Sequence, residues 1–96
     1  MTNQEIAGKL LEQARLLSGR HENLYRVRAY RRAALAVQGL PVSVAELAAD
    51  RGRRGLQAVP GIGSHLAYSI DHFARTGEWR TWDERGNKRE ATRKAG

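Results

Sequence analysis

One short stretch, Val59-Pro60-Gly61-Ile62-Gly63-Ser64, limits most what this chain can fold into. Pro60 cannot continue a helix, because proline lacks an N–H and its ring clashes with the preceding turn. Gly61 and Gly63 permit backbone angles that a Cβ would forbid. Ile62, between them, is expected to be a peg into the core. Beyond Gly63, Leu66, Ala67, Ile70, Phe73 and Ala74 recur at helical spacing, which predicts a helix from about Ser64 to Thr76. Gly77 stands where a C-terminal cap belongs. The stretch therefore reads as a tight turn between two short helices. It places two glycine amides at a helix N-terminus, where unpaired N–H groups and the helix dipole favour an anion. A plain helix–helix connection is the other reading of the same residues.

Charge bears on which anion. The chain carries 17 Lys+Arg against 10 Asp+Glu, a formal net charge of +7. Its lysines are Lys9, Lys88 and Lys94; the other 14 basic residues are arginines. A balance of this kind points to a polyanionic partner, most often nucleic acid, or else to a basic solvated surface. The 96 residues suit one domain with a modest core and little room for a deep small-molecule pocket. There is no cysteine, which excludes disulfides and thiolate chemistry and fits a reducing cytoplasm. No apolar run approaches a membrane span and no signal-peptide pattern opens the chain. A soluble, cytoplasmic protein without a membrane partner is expected.

Upstream of the hairpin the pattern is helical throughout. Residues 3–18 predict a first helix, opened by a Thr2/Glu5 capping box and apolar at Ile6, Ala7, Leu10, Leu11, Ala14 and Leu17. Gly19 is its natural stop. Asn23 can cap a second helix running to about Gly39, with Val27, Tyr30, Ala33, Ala34 and Val37 on or beside one face. Arg26, Arg28, Arg31 and Arg32 occupy the remainder, with Tyr25 at the start. Gly39-Leu40-Pro41 ends it. Ser43 and Glu46 suggest another capping box and a short helix to about Ala49. Asp50 to Gly55, with Arg51, Arg53 and Arg54, reads either as a solvated loop or as a phosphate contact. Arg54 to Val59 is the brief helix that enters the hairpin.

Downstream, Glu78 to Arg85 predicts one further helical turn, on which Trp79 and Trp82 would share a face and dock on the core. Residues 83–96 are polar and without periodicity, five basic against three acidic, and read as a basic disordered tail able to add weak nucleic-acid affinity. No metal-ligand cluster is visible: His65 and His72 lie two helical turns apart, too far to share an ion.

Three features together carry a family resemblance. Asn23-Leu24-Tyr25-Arg26-Val27-Arg28-Ala29-Tyr30-Arg31-Arg32-Ala33-Ala34 resembles the second helix of the N-terminal domain of family X DNA polymerases, bacterial members being closer in wording than the best-known member. The Pro-Gly-Ile-Gly turn resembles the hairpin of helix-hairpin-helix DNA-binding motifs, and its distance from that helix matches, as does the stretch from Ala67 to Gly77. The similarity covers about residues 3–82, without a polymerase domain. It implies an all-α fold of four or five short helices over residues 1–82, the last pair a helix-hairpin-helix.

The resemblance also implies a function. In the family this domain grips gapped DNA and its 5′-phosphate in a basic pocket. DNA-binding residues carried over by position are Gly61, Gly63, Ser64 and His65 at the hairpin, with Tyr25, Arg26, Arg28, Tyr30, Arg31 and Arg32 on the second helix. Tyr25 would stack on a base, or be a half-exposed cap residue. Tyr30 would line the pocket, or be buried. Arg31 and Arg32 would contact phosphate, or be solvated. In related hairpins turn carbonyls bind a Na or K ion; the equivalents here are those of Gln57, Val59 and Ile62, and no other metal or cofactor is implied. Some family members are also abasic-site lyases through a lysine that forms a Schiff base. That position is Ser69 here, and arginine cannot replace a neutral amine. The expectation is therefore a non-enzymatic, sequence-independent DNA binder, nucleoid-associated and serving repair. The alternatives are a residual abasic-site lyase or a module docking a repair-protein partner.

Overall fold

The computed structural model describes residues 1–20, 23–82 and 88–90, the last three and Trp82 by their backbone alone. Four helices dominate: α1 (Asn3–Gly19), α2 (Leu24–Gly39), α3 (Val44–Gln57) and α4 (Ser64–Thr76). The fold is all-α, as the periodicity requires.

Each early helix opens on its own cap. Thr2 Oγ1 accepts from the Glu5 N–H at 3.0 Å, and Glu5 Oε1 accepts from the Thr2 N–H at 2.8 Å, a complete capping box. These bonds hold the Glu5 carboxyl below its ordinary value, the Thr2 backbone bond first and its side-chain bond second. Asn23 Oδ1 accepts from the Tyr25 N–H at 3.0 Å, and Ser43 Oγ from the Glu46 N–H at 3.1 Å. α1 runs one residue past the expected end. Its cap is Arg20, at φ −92° and ψ 1°, so Gly19 belongs to the helix rather than stopping it. α2 ends as read: Leu40 is extended, the conformation that a following proline imposes.

α1 packs along α2, α3 along α4, and α1 also touches α4. Ile6, Leu10, Val37, Val44, Leu56 and Ile70 are fully buried between them. Asn3 ties three elements together: its Nδ2 donates to the carbonyls of Val37 (3.3 Å) and Val42 (2.9 Å), and its Oδ1 accepts from the Val44 N–H (2.8 Å). α3 is two helices in one. Gly52, at φ 63° and ψ −154°, breaks it into an N-terminal arm and the short helix that enters the hairpin. The six-residue loop expected at Asp50–Gly55 thus contracts to a kink at one glycine.

After α4 the expectation of a helical turn fails. Gly77 closes α4 in the left-handed conformation (φ 81°), and the chain then forms β1 (Arg80–Trp82), paired antiparallel with β2 (Lys88–Glu90). Thr81 and Trp82 suit an extended pleat better than a helix. Three residues of the expected disordered tail are therefore paired; the rest of it lies outside the described residues. Trp79 docks on the core as expected, edge-on to Phe73 (centroids 5.8 Å apart) and tilted against Tyr30 (6.0 Å).

Candidate nucleic-acid interface

The turn between α3 and α4 follows from its residues. The Val59 N–H bonds to the Leu56 carbonyl (3.1 Å), the Ile62 N–H to the Val59 carbonyl (3.1 Å), and the Ala67 N–H to the Gly63 carbonyl (2.8 Å), the first bond of α4. Ile62 is buried, the expected peg.

The two glycines divide the labour. Gly61 has φ +97°, and a Cβ there would lie 3.1 Å from the Ala36 Cβ and 3.5 Å from the Arg32 Cγ. It is required by contact with α2, so its absent side chain serves packing inside the protein. Gly63 is different. Its φ of −81° and ψ of 176° suit any residue, and an added Cβ would meet nothing within 4 Å. Neither strain nor packing calls for glycine there. It is also the N-cap of α4 and makes no side-chain cap. A helix begins with N–H groups that lack intrahelical partners. In α1, α2 and α3 the N-cap side chain answers one of them; at α4 the N-cap has no side chain to do so.

That open N-terminus borders a cleft of about 260 Å³ lined by Arg53, Gln57, Ser64 and His65. The dipole of a 13-residue helix, exposed backbone donors and a guanidinium meet there, the combination that holds a phosphate oxygen. The chain is a helix-hairpin-helix domain. The family of that description matches residues 1–79, nearly the whole described chain. Helix-hairpin-helix domains generally bind DNA without sequence preference. No curated protein matches the chain. No helix among the described residues is long and apolar enough to cross a membrane.

Within this helix-hairpin-helix domain the expected site residues sort into groups. Gly63, Ser64 and His65 are exposed together at the mouth. Arg32 lays its stem against Gly61. At 3.6 residues per turn, Tyr25, Arg28 and Arg32 follow one another along the same flank of α2. All three are exposed, Tyr25 by 76%. Arg26 is exposed but leans on the core, its Nη2 donating to the Tyr30 hydroxyl at 3.4 Å and its guanidinium 5.9 Å from that ring.

Two of the expected contacts stand apart from the mouth. Tyr30 is only 2% exposed and packs on Trp79, so the burial reading holds and its hydroxyl serves to position Arg26. Arg31 is exposed but lies about 100° round α2 from Arg32, away from the hairpin flank. One cleft residue was missed as a side-chain contact, Gln57. Arg53 stood in a loop with two readings, and only the Gly52 kink brings it to the cleft.

Ser69, where the resemblance implies a lysine, is 1% exposed and donates to the His65 carbonyl at 3.3 Å. Lys9 bridges to Glu12 (3.6 Å) and lies 5.8 Å from the centre of the Phe73 ring. Phe73 is ten residues, about 15 Å, along α4 from Gly63. Among the described residues no group of three His, Cys, Asp or Glu could hold a metal ion. His72 lies away from the mouth, stacked on Tyr68 with centroids 6.3 Å apart. Burial, then the charges of Arg80 and Arg75, hold its imidazole below the ordinary value.

Proposed function

We propose that this domain binds DNA without catalysis and without sequence preference, by seating a backbone phosphate on the N-terminus of α4. The first-turn amides of Ser64, His65 and Leu66 would take one phosphate, with Arg53 beside it. Arg32, Arg28 and Tyr25 would follow the adjoining backbone along α2. The observation that carries the reading is Gly63, a glycine that neither strain nor packing demands, at the one uncapped N-terminus of the four helices. Nothing in the arrangement resembles a base-reading helix in a major groove, so phosphates supply the affinity. Non-specific affinity of this kind is weak near physiological salt, on the order of 10⁻⁴ to 10⁻⁶ M.

Gly63→Val is the direct test. Its backbone angles accept valine, so the helical circular dichroism should stay unchanged while affinity for duplex DNA falls at least about tenfold, or about 1.4 kcal/mol. Unchanged affinity in the folded variant sinks the proposal.

The likeness to family X polymerases further suggests gapped, nicked or 5′-phosphorylated DNA and a role in repair. Titration of labelled single-stranded, duplex, nicked and gapped DNA in one buffer tests that preference. The absence of a lyase is supported by Ser69, whose place in the core would bury any lysine put there. Borohydride trapping on abasic DNA should therefore leave the protein unlinked. A monovalent cation at the hairpin remains part of the proposal. The Gln57 carbonyl, at the negative end of α3, fits it, while the Val59 carbonyl already spends one lone pair on the Ile62 N–H.

A further inference from the structure

α2 has a third side, which the core does not use and which meets the hairpin flank only at Arg28. Val27, Tyr30, Ala33, Ala34 and Val37 are buried, and Arg32 and Ala36 face Gly61. What remains is a stripe of Leu24, Arg28, Arg31 and Leu35 at i, i+4, i+7 and i+11, three turns or about 16 Å of helix. Leu24 is 62% exposed and Leu35 69%, and both arginines are exposed. A single exposed leucine needs no explanation. Two leucines bracketing two arginines on one helical stripe form a pattern with apolar ends and a cationic middle.

Phosphates would use the arginines but gain nothing from the leucines. A second copy of this chain would use the leucines. It would also set Arg28 and Arg31 against the same two arginines, a like-charge contact between molecules that each carry a formal +7. The spacing fits a helix laid along the stripe, and the charge selects an acidic one.

We infer that this side of α2 docks an acidic amphipathic helix of a partner protein, leaving the hairpin mouth open to DNA. The inference stands whether or not the hairpin binds DNA. The stripe's alternation of Leu, Arg, Arg and Leu calls for leucines at the ends of the partner's own stripe and carboxylates between and beside them. Only the edge residue Arg28 is shared with the flank that adjoins the hairpin.

The test titrates a fluorescent synthetic helix of about 18 residues, with leucines at i, i+4, i+7 and i+11 and glutamates around them, into the full chain. A scrambled peptide of identical composition is the control, since it keeps the charge and destroys the stripe. The ordered peptide should bind at least about tenfold more tightly than the scrambled one. Leu24→Ser with Leu35→Ser should erase that advantage while duplex DNA affinity stays within about twofold. Arg31→Glu should weaken the ordered peptide as well, by a separate route. Circular dichroism controls folding, and both leucines are exposed enough to tolerate serine. Equal binding of the two peptides overturns the inference in favour of charge alone. Loss of DNA affinity in the leucine variant assigns the stripe to DNA. Self-association that the leucine substitutions abolish, read by sedimentation, assigns it to a second copy.

Discussion

The N-termini of α2 and α4 pose one chemical problem and answer it differently. Both present backbone donors that no residue of the helix can pair. At α2 the answer is internal: Asn23 turns its own side chain back onto the Tyr25 N–H. At α4 the N-cap is Gly63, which has no side chain, and the amides are left toward a cleft with Arg53 and His65 on its walls. The capped end contributes to stability. The open end forgoes a cap's contribution and leaves room for a ligand. A side chain at residue 63 would meet no protein atom, so the opening is not forced by packing. Function, in this reading, begins where the chain declines to satisfy itself.

Giving α4 the kind of cap that α2 has should produce the largest effect. Gly63→Asp has compatible backbone angles, and its carboxylate can accept from the amides of His65 or Leu66. Stability should rise by a few tenths to about 1 kcal/mol from the cap and dipole together. DNA affinity should fall about a hundredfold, or about 2.7 kcal/mol, because the carboxylate fills the phosphate position and repels its charge. A thermal melt and a binding titration on the same sample check both signs; a variant that melts higher and binds as before breaks the comparison. The converse substitution, Asn23→Ala, uncaps α2. It should cost about 1 kcal/mol, a midpoint drop of about 4–8 °C, with DNA affinity per folded molecule unchanged.

A smaller effect separates the mouth from its flank. With three to five phosphates neutralised, log K against log salt should fall with a slope of roughly −3 to −4.5. Arg53→Ala should reduce the steepness by about one unit. Arg31→Ala should leave it nearly unchanged, since Arg31 lies off the hairpin flank of α2. Equal reductions at the two positions would mean that DNA wraps α2 rather than tracking from the mouth.

The residues explain what could be read in advance. Helical periods and caps at Thr2, Asn23 and Ser43 located α1, α2 and the start of α3, because those signals are local. Pro60 and the glycines located the hairpin for the same reason. The sequence could not separate Gly61 from Gly63, because the difference lies in what surrounds them: Ala36 and Arg32 for one, open space for the other. Arg53 was ambiguous because its direction depends on one positive φ at Gly52. The strand at Arg80–Trp82 depends on pairing across a gap in sequence, which a helical count over Trp79 and Trp82 does not register. Tyr30 was open to two readings because an aromatic residue on an apolar face suits a core and a binding pocket alike; its contact with Trp79 settles it as core.

The smallest effect concerns α1, whose cap is internal but ionised. Glu5 closes the capping box through its carboxylate, and its bonds to Thr2 hold its pKa below the ordinary 4.5. A carboxyl whose folded value is depressed adds stability that is fully present above its unfolded value, and that contribution is lost as pH falls through the folded value. The loss at α1 should therefore begin below about pH 4.5. Because Glu5 is solvent-exposed, the change should be slight. Glu5→Gln keeps an acceptor for the Thr2 N–H without a titrating charge, so its midpoint should fall less than that of the unsubstituted protein between pH 5 and pH 3. The end of α4 has no such group, and Gly63→Asp would create one. That variant should show a second acid-dependent loss that the natural protein lacks, in the range where the new carboxylate protonates. Identical acid profiles for the natural protein and Gly63→Asp would mean that the introduced carboxylate does not cap α4, and the two helix ends would then not be chemically comparable.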